Sequence, residues 1–311
     1  MFSKSFIARY ILQILVSVVF LASAWLKLYP IEPFELTLVD SGLVPWSIAP
    51  YAARLLLSVE TFIGVGLLFN TRYTLVLLKS ALYLTLFFSI YLLLLWHFRG
   101  NDINCGCFGA KLSLTPIESL VKNAVLIVLI LIAIKLYSPI QRGFKWLYVI
   151  GLLGLCVAPF VLNPLEGYFS TPDNTEYPYD FKSEIIPDSI LSKVPFDIEK
   201  GTYILPFLSV TCPHCKVAAQ KLTVAKRKHE LPRIHAFFIG GEKKMEKFRF
   251  ESSSELDYTM YQEESFFKFN NGVLPTVLLV VDGEVIRRWS GSGFTYEEIG
   301  KIPDYVKDYG K

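Results

Sequence analysis

Tyr203-Ile204-Leu205-Pro206-Phe207-Leu208-Ser209-Val210-Thr211-Cys212-Pro213-His214-Cys215 is the stretch whose reading decides the fold of the C-terminal half. Tyr203–Val210 is an apolar, aromatic and β-branched run, the make-up of a strand. Cys212–His229 reads as a helix, so the cysteine pair falls where the strand gives way to a helix N-terminus. That position leaves backbone N–H groups without helical partners and carries a partial positive charge, both of which favour a thiolate. Cys212 is expected to be the attacking nucleophile and Cys215 the resolving thiol. Pro213 suits the first helical turn, where its missing N–H would have had no partner. His214, protonated or as a donor, favours the thiolate further, and a lower thiol pKa makes the pair more oxidising. A zinc site would need two more ligands at motif spacing, which His229 and His235 do not supply. Redox exchange outweighs a structural disulfide here.

Downstream, Arg233–Ile239 reads as a second strand, and Thr276–Val281 with Glu284–Trp289 as a hairpin around Asp282-Gly283. Tyr296–Tyr309 reads as a closing helix. With these elements on the page, Tyr203–Lys311 resembles the thioredoxin superfamily, most of all its TlpA-like branch. The resemblance rests on Thr211-Cys212-Pro213-His214-Cys215, Gly272-Val273-Leu274-Pro275-Thr276 and Trp289-Ser290-Gly291. It implies that Pro275 is cis and faces the cysteines, with Leu274 bonding the backbone of a substrate. Pro213-His214 resembles the dipeptide of the oxidant DsbA. Thr211 stands where family members carry Trp.

Upstream the character changes. The first half holds long apolar runs almost free of charge, whereas the region after Asp173 mixes Lys, Glu and Asp among its apolar residues. A membrane crossing takes roughly 20 mostly apolar residues. Five stretches qualify: Phe6–Leu28, Ile48–Phe69, Tyr73–Trp96, Ile117–Tyr137 and Phe144–Leu162. The first is too long for a signal-peptide core and lacks a small-residue cleavage site, so it reads as a retained helix. Lys4, Arg9, Arg72, Arg142 and Lys145 flank one side, and Glu32, Glu35 and Asp40 lie on the other. Positive charge marks the cytoplasmic face. The loop His97–Pro116 and everything after the fifth helix are therefore expected outside the cytoplasm, in the inner membrane of a cell with a periplasm. Residues 163–178, rich in Pro, Asn, Ser, Thr and Tyr, read as a linker.

The loop Asn104-Cys105-Gly106-Cys107-Phe108-Gly109 brings a second thiol pair to that side. Cysteines two apart bridge only with strain, which raises the reduction potential, and the intervening glycine supplies backbone freedom. Two exposed thiols in an oxidising compartment point to redox use. With Ala24-Trp25-Leu26-Lys27-Leu28 and Glu60, this loop makes Ala22–Leu136 similar to MauE/DoxX-like membrane proteins. The likeness implies roles in disulfide formation or in quinone-linked redox. Charges inside apolar spans are costly and are paired or functional. Glu60 is expected near mid-membrane with Arg54 or Lys27 as partner, as an ion pair holding the bundle or as a quinone contact, for which His97 is a second candidate. Cys156 in the fifth helix reads as inert.

The organisation expected is a membrane α-helical bundle, then an α/β thioredoxin-like domain: residues 1–140 as a four-helix MauE/DoxX-like unit, 141–163 as a connecting helix, 164–180 as linker and 181–311 as the extracytoplasmic domain. A net charge of +3 with no basic block gives no footing for nucleic acid. The expected activity is a membrane-bound thiol–disulfide oxidoreductase acting on exported proteins. Cys105 and Cys107 would be its membrane-side partner, and oxidase is favoured over reductase. No cofactor is needed by the soluble domain, and a quinone is the candidate for the membrane domain. The alternatives are a relay exporting reductant, and a non-enzymatic subunit of a larger membrane complex.

Overall fold

The computed structural model describes residues 4–69, 71–109, 112–137, 145–163, 177–181, 186–270 and 272–310. The chain divides into two compact units, Met1–Leu165 and Glu166–Lys311. The expected linker falls largely on residues 164–176, and Arg142 on residues 138–144, both outside the described residues.

Among the described residues of the first unit, α1 (Lys4–Leu28), α3 (Ala49–Leu68), α4 (Thr74–Arg99) and α5 (Pro116–Lys135) are long and apolar enough to cross a membrane. A short helix, α2 (Glu32–Asp40), occupies the loop expected between the first two spans. The fifth expected span is helical as α6 (Lys145–Leu162). Lipid offers helices no hydrophobic reason to associate, so polar groups and small residues hold them. Gln13 Nε2 donates to the Leu67 carbonyl at 2.5 Å and Ser17 Oγ to the Gly64 carbonyl at 2.6 Å, joining α1 to α3. A Cβ on Gly64 would stand 2.8 Å from Leu21, so glycine sets the approach of the two helices. Ser58 Oγ donates to the Cys156 carbonyl at 2.6 Å, fastening α6 to α3. Thr115 and Glu118 form a reciprocal capping box at the start of α5, with Pro116 in the first turn.

The second unit is built on a sheet of order β1-β6-β5-β2-β3-β4 among the described residues. Its strands are β1 (Tyr179–Asp180), β2 (Thr202–Ser209), β3 (Arg233–Ile239), β4 (Asp257–Met260), β5 (Thr276–Val281) and β6 (Glu284–Ser290). β2, β3 and β4 run parallel, while β5 is antiparallel to both β2 and β6. Helices α7 (Asp188–Leu191), α8 (Pro213–Lys228), α9 (Met245–Ser252), α10 (Ser265–Phe269), α11 (Tyr296–Gly300) and α12 (Ile302–Tyr309) complete it. This is a thioredoxin-like α/β arrangement. Every residue of β5 is buried, as an interior strand covered on both faces must be. Phe207 of β2 stacks on Phe237 of β3 with centroids 4.8 Å apart, at the centre of the core.

The closing helix differs from expectation. It breaks into α11 and α12, because Pro303 starts a new helix and cannot continue the old one. α9 and β4 carry no strong apolar period and were not expected at all.

Candidate active site

Two thiol pairs are set in two different ways. In the second unit, β2 ends at Ser209 and Cys212 is the N-cap residue of α8, with extended backbone (φ −81°, ψ 122°). Pro213 occupies the first turn, as its fixed φ favours. Cys212 is half-buried, whereas Cys215, one turn on, is fully enclosed. The Ser209 N–H donates to Cys215 Sγ at 3.3 Å.

This geometry separates the two thiols chemically. The Cys215 thiol hydrogen-bonds Cys212, against a smaller opposing effect of burial; the N–H groups of Cys215 and His214 and the charge of His214 add to it. Together they lower the Cys212 pKa to about 6. Cys215 moves the other way, its proton held by the hydrogen bond to Cys212 and by burial. At neutral pH one sulfur is a thiolate open to attack a disulfide, and the other is a retained thiol. Leu274–Pro275 is a cis peptide bond. Pro275 sits at the head of β5, where Thr276 registers with Phe207 of β2, so it lies at the end of the sheet from which Cys212 leaves. Its carbonyl accepts from the Gly291 N–H at 2.8 Å.

The other pair lies in the loop joining α4 to α5, and here the expectation of exposed thiols is corrected. Cys105 is 1% exposed and Cys107 only partly so. The loop is pressed onto α1 and α2. Gly106 and Gly109 both have positive φ, +68° and +65°; a Cβ at Gly106 would meet Thr37 Oγ1 at 2.4 Å, and one at Gly109 would meet the Leu26 carbonyl oxygen at 2.6 Å. Only glycine satisfies both the backbone and the space. Cys105 N–H donates to the Leu114 carbonyl, and Cys105 Sγ lies 3.1 Å from Ser119 Oγ and accepts from the Cys107 N–H at 3.2 Å. Burial opposes a Cys105 thiolate, yet the Cys107 thiol, the Ser119 hydroxyl, the Cys107 N–H and the charge of Lys122 together bring its pKa down to about 7. Cys107 is pushed up by its hydrogen bond to Cys105 and by burial. The asymmetry of the first pair is thus repeated.

Behind this loop is a cavity of about 380 Å³, whose wall includes Cys105, Cys107, Lys27, Glu60 and Lys122. Glu60 was expected to pair with Arg54 or Lys27. It takes Lys27, at 2.5 Å. Arg54 instead donates to Glu35 on α2 at 2.7 Å, because α2 brings a second carboxylate inward. His97 stands exposed at the end of α4 with its ring against Phe98, and is not part of the cavity wall. Cys156 is partly buried in α6. Lys122 escaped the reading of the sequence, although the argument that singled out Glu60, a charge inside an apolar span, applies to it equally. Its ammonium sits 4.3 Å from the centre of the Phe108 ring.

Residues 5–136 match the family model described as methylamine utilisation protein MauE. The match begins well before Ala22, so nearly all of α1 falls within it. Together with the four apolar helices this makes the chain a multi-pass membrane protein. Among curated proteins, Protein TlpB of Flavobacterium psychrophilum is 28% identical, over 77% of this chain and 78% of that one. Among solved structures, a secreted disulfide oxidoreductase of Mycobacterium tuberculosis, described as homologous to E. coli DsbE, aligns with a TM-score of 0.31 at 16% identity. It covers 37% of this chain and 92% of its own.

Proposed function

We propose that a MauE-type membrane domain joined to a thioredoxin-like unit makes this chain a membrane-bound thiol–disulfide oxidoreductase acting on exported proteins. The observation that carries the reading is the division of labour at the N-terminus of α8: a thiolate at Cys212 with its pKa near 6, and a buried, protonated Cys215. The Cys212 thiolate attacks one sulfur of a partner disulfide, whose S–S bond breaks; the other sulfur leaves as a thiolate and a mixed disulfide on Cys212 remains. Cys215 then gives up its proton and attacks Cys212 Sγ, closing the Cys212–Cys215 disulfide and releasing the partner's remaining sulfur as a thiolate. Reversed, the same steps pass a disulfide to a substrate dithiol. A stabilised thiolate stabilises the reduced pair, which favours its disulfide as an oxidant. Oxidation of exported proteins is therefore the favoured direction. Cys105 and Cys107 are the membrane-side pair with which Cys212 and Cys215 exchange. The basic residues Arg9 and Arg72 support a cytoplasmic N-terminus, with the thioredoxin-like unit in the periplasm.

Exchange with a disulfide-bonded reporter protein tests the reading. Cys212→Ser abolishes exchange. Cys215→Ser accumulates mixed disulfides on Cys212, because the resolving thiol is gone. Identical behaviour of the two variants overturns the assignment. Equilibration with glutathione tests the direction: a potential as low as thioredoxin's, about −270 mV, reverses it.

A further inference from the structure

The membrane unit contains a built cavity that the exchange reaction at Cys212 does not use. At about 380 Å³ it falls within the usual range for small-molecule sites, roughly 300–1,000 Å³. Much of its wall is apolar, with Phe87 and Phe88 from α4 and Leu56 from α3. Its polar side chains are the Lys27–Glu60 pair, Lys122, Asn123, Tyr91, Ser23, Thr37 and the two thiols. Glu60 is 3% exposed, and its Oε2 has no hydrogen-bond partner in the protein. A buried carboxylate oxygen left unpaired is costly, so this atom marks where a ligand's hydrogen-bond donor belongs. Leu55 and Phe87 line the cavity and are also 60% and 48% exposed on the apolar surface of the bundle. The cavity therefore reaches the lipid-facing side, and its occupant comes from the bilayer.

An occupant that is apolar, flat enough for the aromatic wall, able to donate to Glu60 once it is reduced and set beside a thiol pair is narrowly defined. We propose that this cavity is a site for a lipid-soluble quinone, which serves as electron acceptor for Cys105 and Cys107. Oxidation breaks the two S–H bonds and forms one S–S bond. The two electrons and two protons convert both quinone carbonyls to hydroxyls, giving the hydroquinone. Lys122 donates to a carbonyl oxygen of the quinone, and Glu60 Oε2 accepts from a hydroxyl of the product. The proposal rests on the exchange reading only in treating Cys105 and Cys107 as a redox pair.

The test uses the full chain in quinone-free phosphatidylcholine nanodiscs, with Cys212 and Cys215 both changed to Ser so that only the membrane pair can donate. The probes are decylubiquinone and menadione. The reduced protein is expected to form one hydroquinone per chain, and the Cys107→Ser form none. Bound quinone is expected to slow maleimide labelling of Cys107 tenfold or more. Lys122→Met, which leaves the Lys27–Glu60 pair in place, weakens that protection about tenfold, the scale of a hydrogen bond from a charged donor. Ala52→Phe, which fills the cavity from α3, removes the protection. Absence of both reduction and protection in the parent protein overturns the proposal, as does a cavity held by phospholipid that neither quinone displaces. Exchange by Cys212 and Cys215 is measured separately in the unaltered chain, so it stands or falls independently.

Discussion

Cys212 shows how far a single position can be read in advance. Its place after a strand and before a helix was legible from residue types, because a helix N-terminus favours anions whatever the surrounding fold. The Cys215 thiol, the leading cause of the low pKa, was not legible in that role, since its burial comes from packing around β2 and α8. The sign of the pH dependence follows. The folded pKa of Cys212 is depressed to about 6, below the free value of about 8.5. The thiolate thus stabilises the reduced protein fully above about pH 8.5, and that contribution is lost as pH falls through 6. The disulfide form lacks the group. The melting temperature of the reduced protein relative to the oxidised one is expected to rise from pH 5 to pH 8.5, as scanning calorimetry would record. Thiolate absorbance should titrate near pH 6, and His214→Pro should move that midpoint upward and make the pair more reducing.

Between elements, what the sequence concealed was pairing across helices. Apolar runs disclose spans because lipid demands them, but which carboxylate meets which cation depends on rotations about helix axes that no run of residues records. α2 was invisible as a helix for a related reason: at nine residues it is too short to show a period, yet it supplies Glu35 to Arg54. Two predictions belong here. Glu60→Leu leaves the Lys27 charge unpaired inside the bundle, at a cost of about 3–5 kcal/mol. Adding Lys27→Met should restore most of the detergent unfolding temperature, since a buried pair replaced by apolar residues is often near neutral. Gly109→Ala forces a side chain against the Leu26 carbonyl at a positive φ. It should destabilise the membrane unit by about 1–3 kcal/mol and speed alkylation of Cys105 by freeing the loop, which timed labelling measures.

For the whole molecule the predictions concern topology and traffic between the two pairs. A cysteine placed beside Arg72 should resist an impermeant maleimide in intact cells, while one placed in the segment before Tyr177 should react; the reverse pattern inverts the proposed orientation. A Cys215→Ser chain should yield a peptide linking Cys212 to Cys105 or Cys107 after non-reducing digestion. Cys212 found only on other proteins, with Cys105 and Cys107 joined throughout, ends the idea of a relay within one chain. The two-part plan was open to reading because hydropathy changes along the chain. The cavity was not, because its wall is gathered from every element between Ser23 on α1 and Asn123 on α5.

That dispersal has a consequence for biogenesis. Lys27 and Lys122 are 95 residues apart (122 − 27), so at roughly 5–20 residues per second they leave the ribosome about 5–19 s apart. Glu60 follows Lys27 by 33 residues (60 − 27), after roughly 2–7 s, and can neutralise it early. Cys105 and Cys107 emerge before Lys122 and before the Ser119 hydroxyl that lies against Cys105. A nascent chain halted between Cys107 and Ser119 therefore presents two thiols without the groups that later set their reactivity. Arrested chains of increasing length, probed with maleimide, should show Cys105 labelling fall sharply once α5 has inserted.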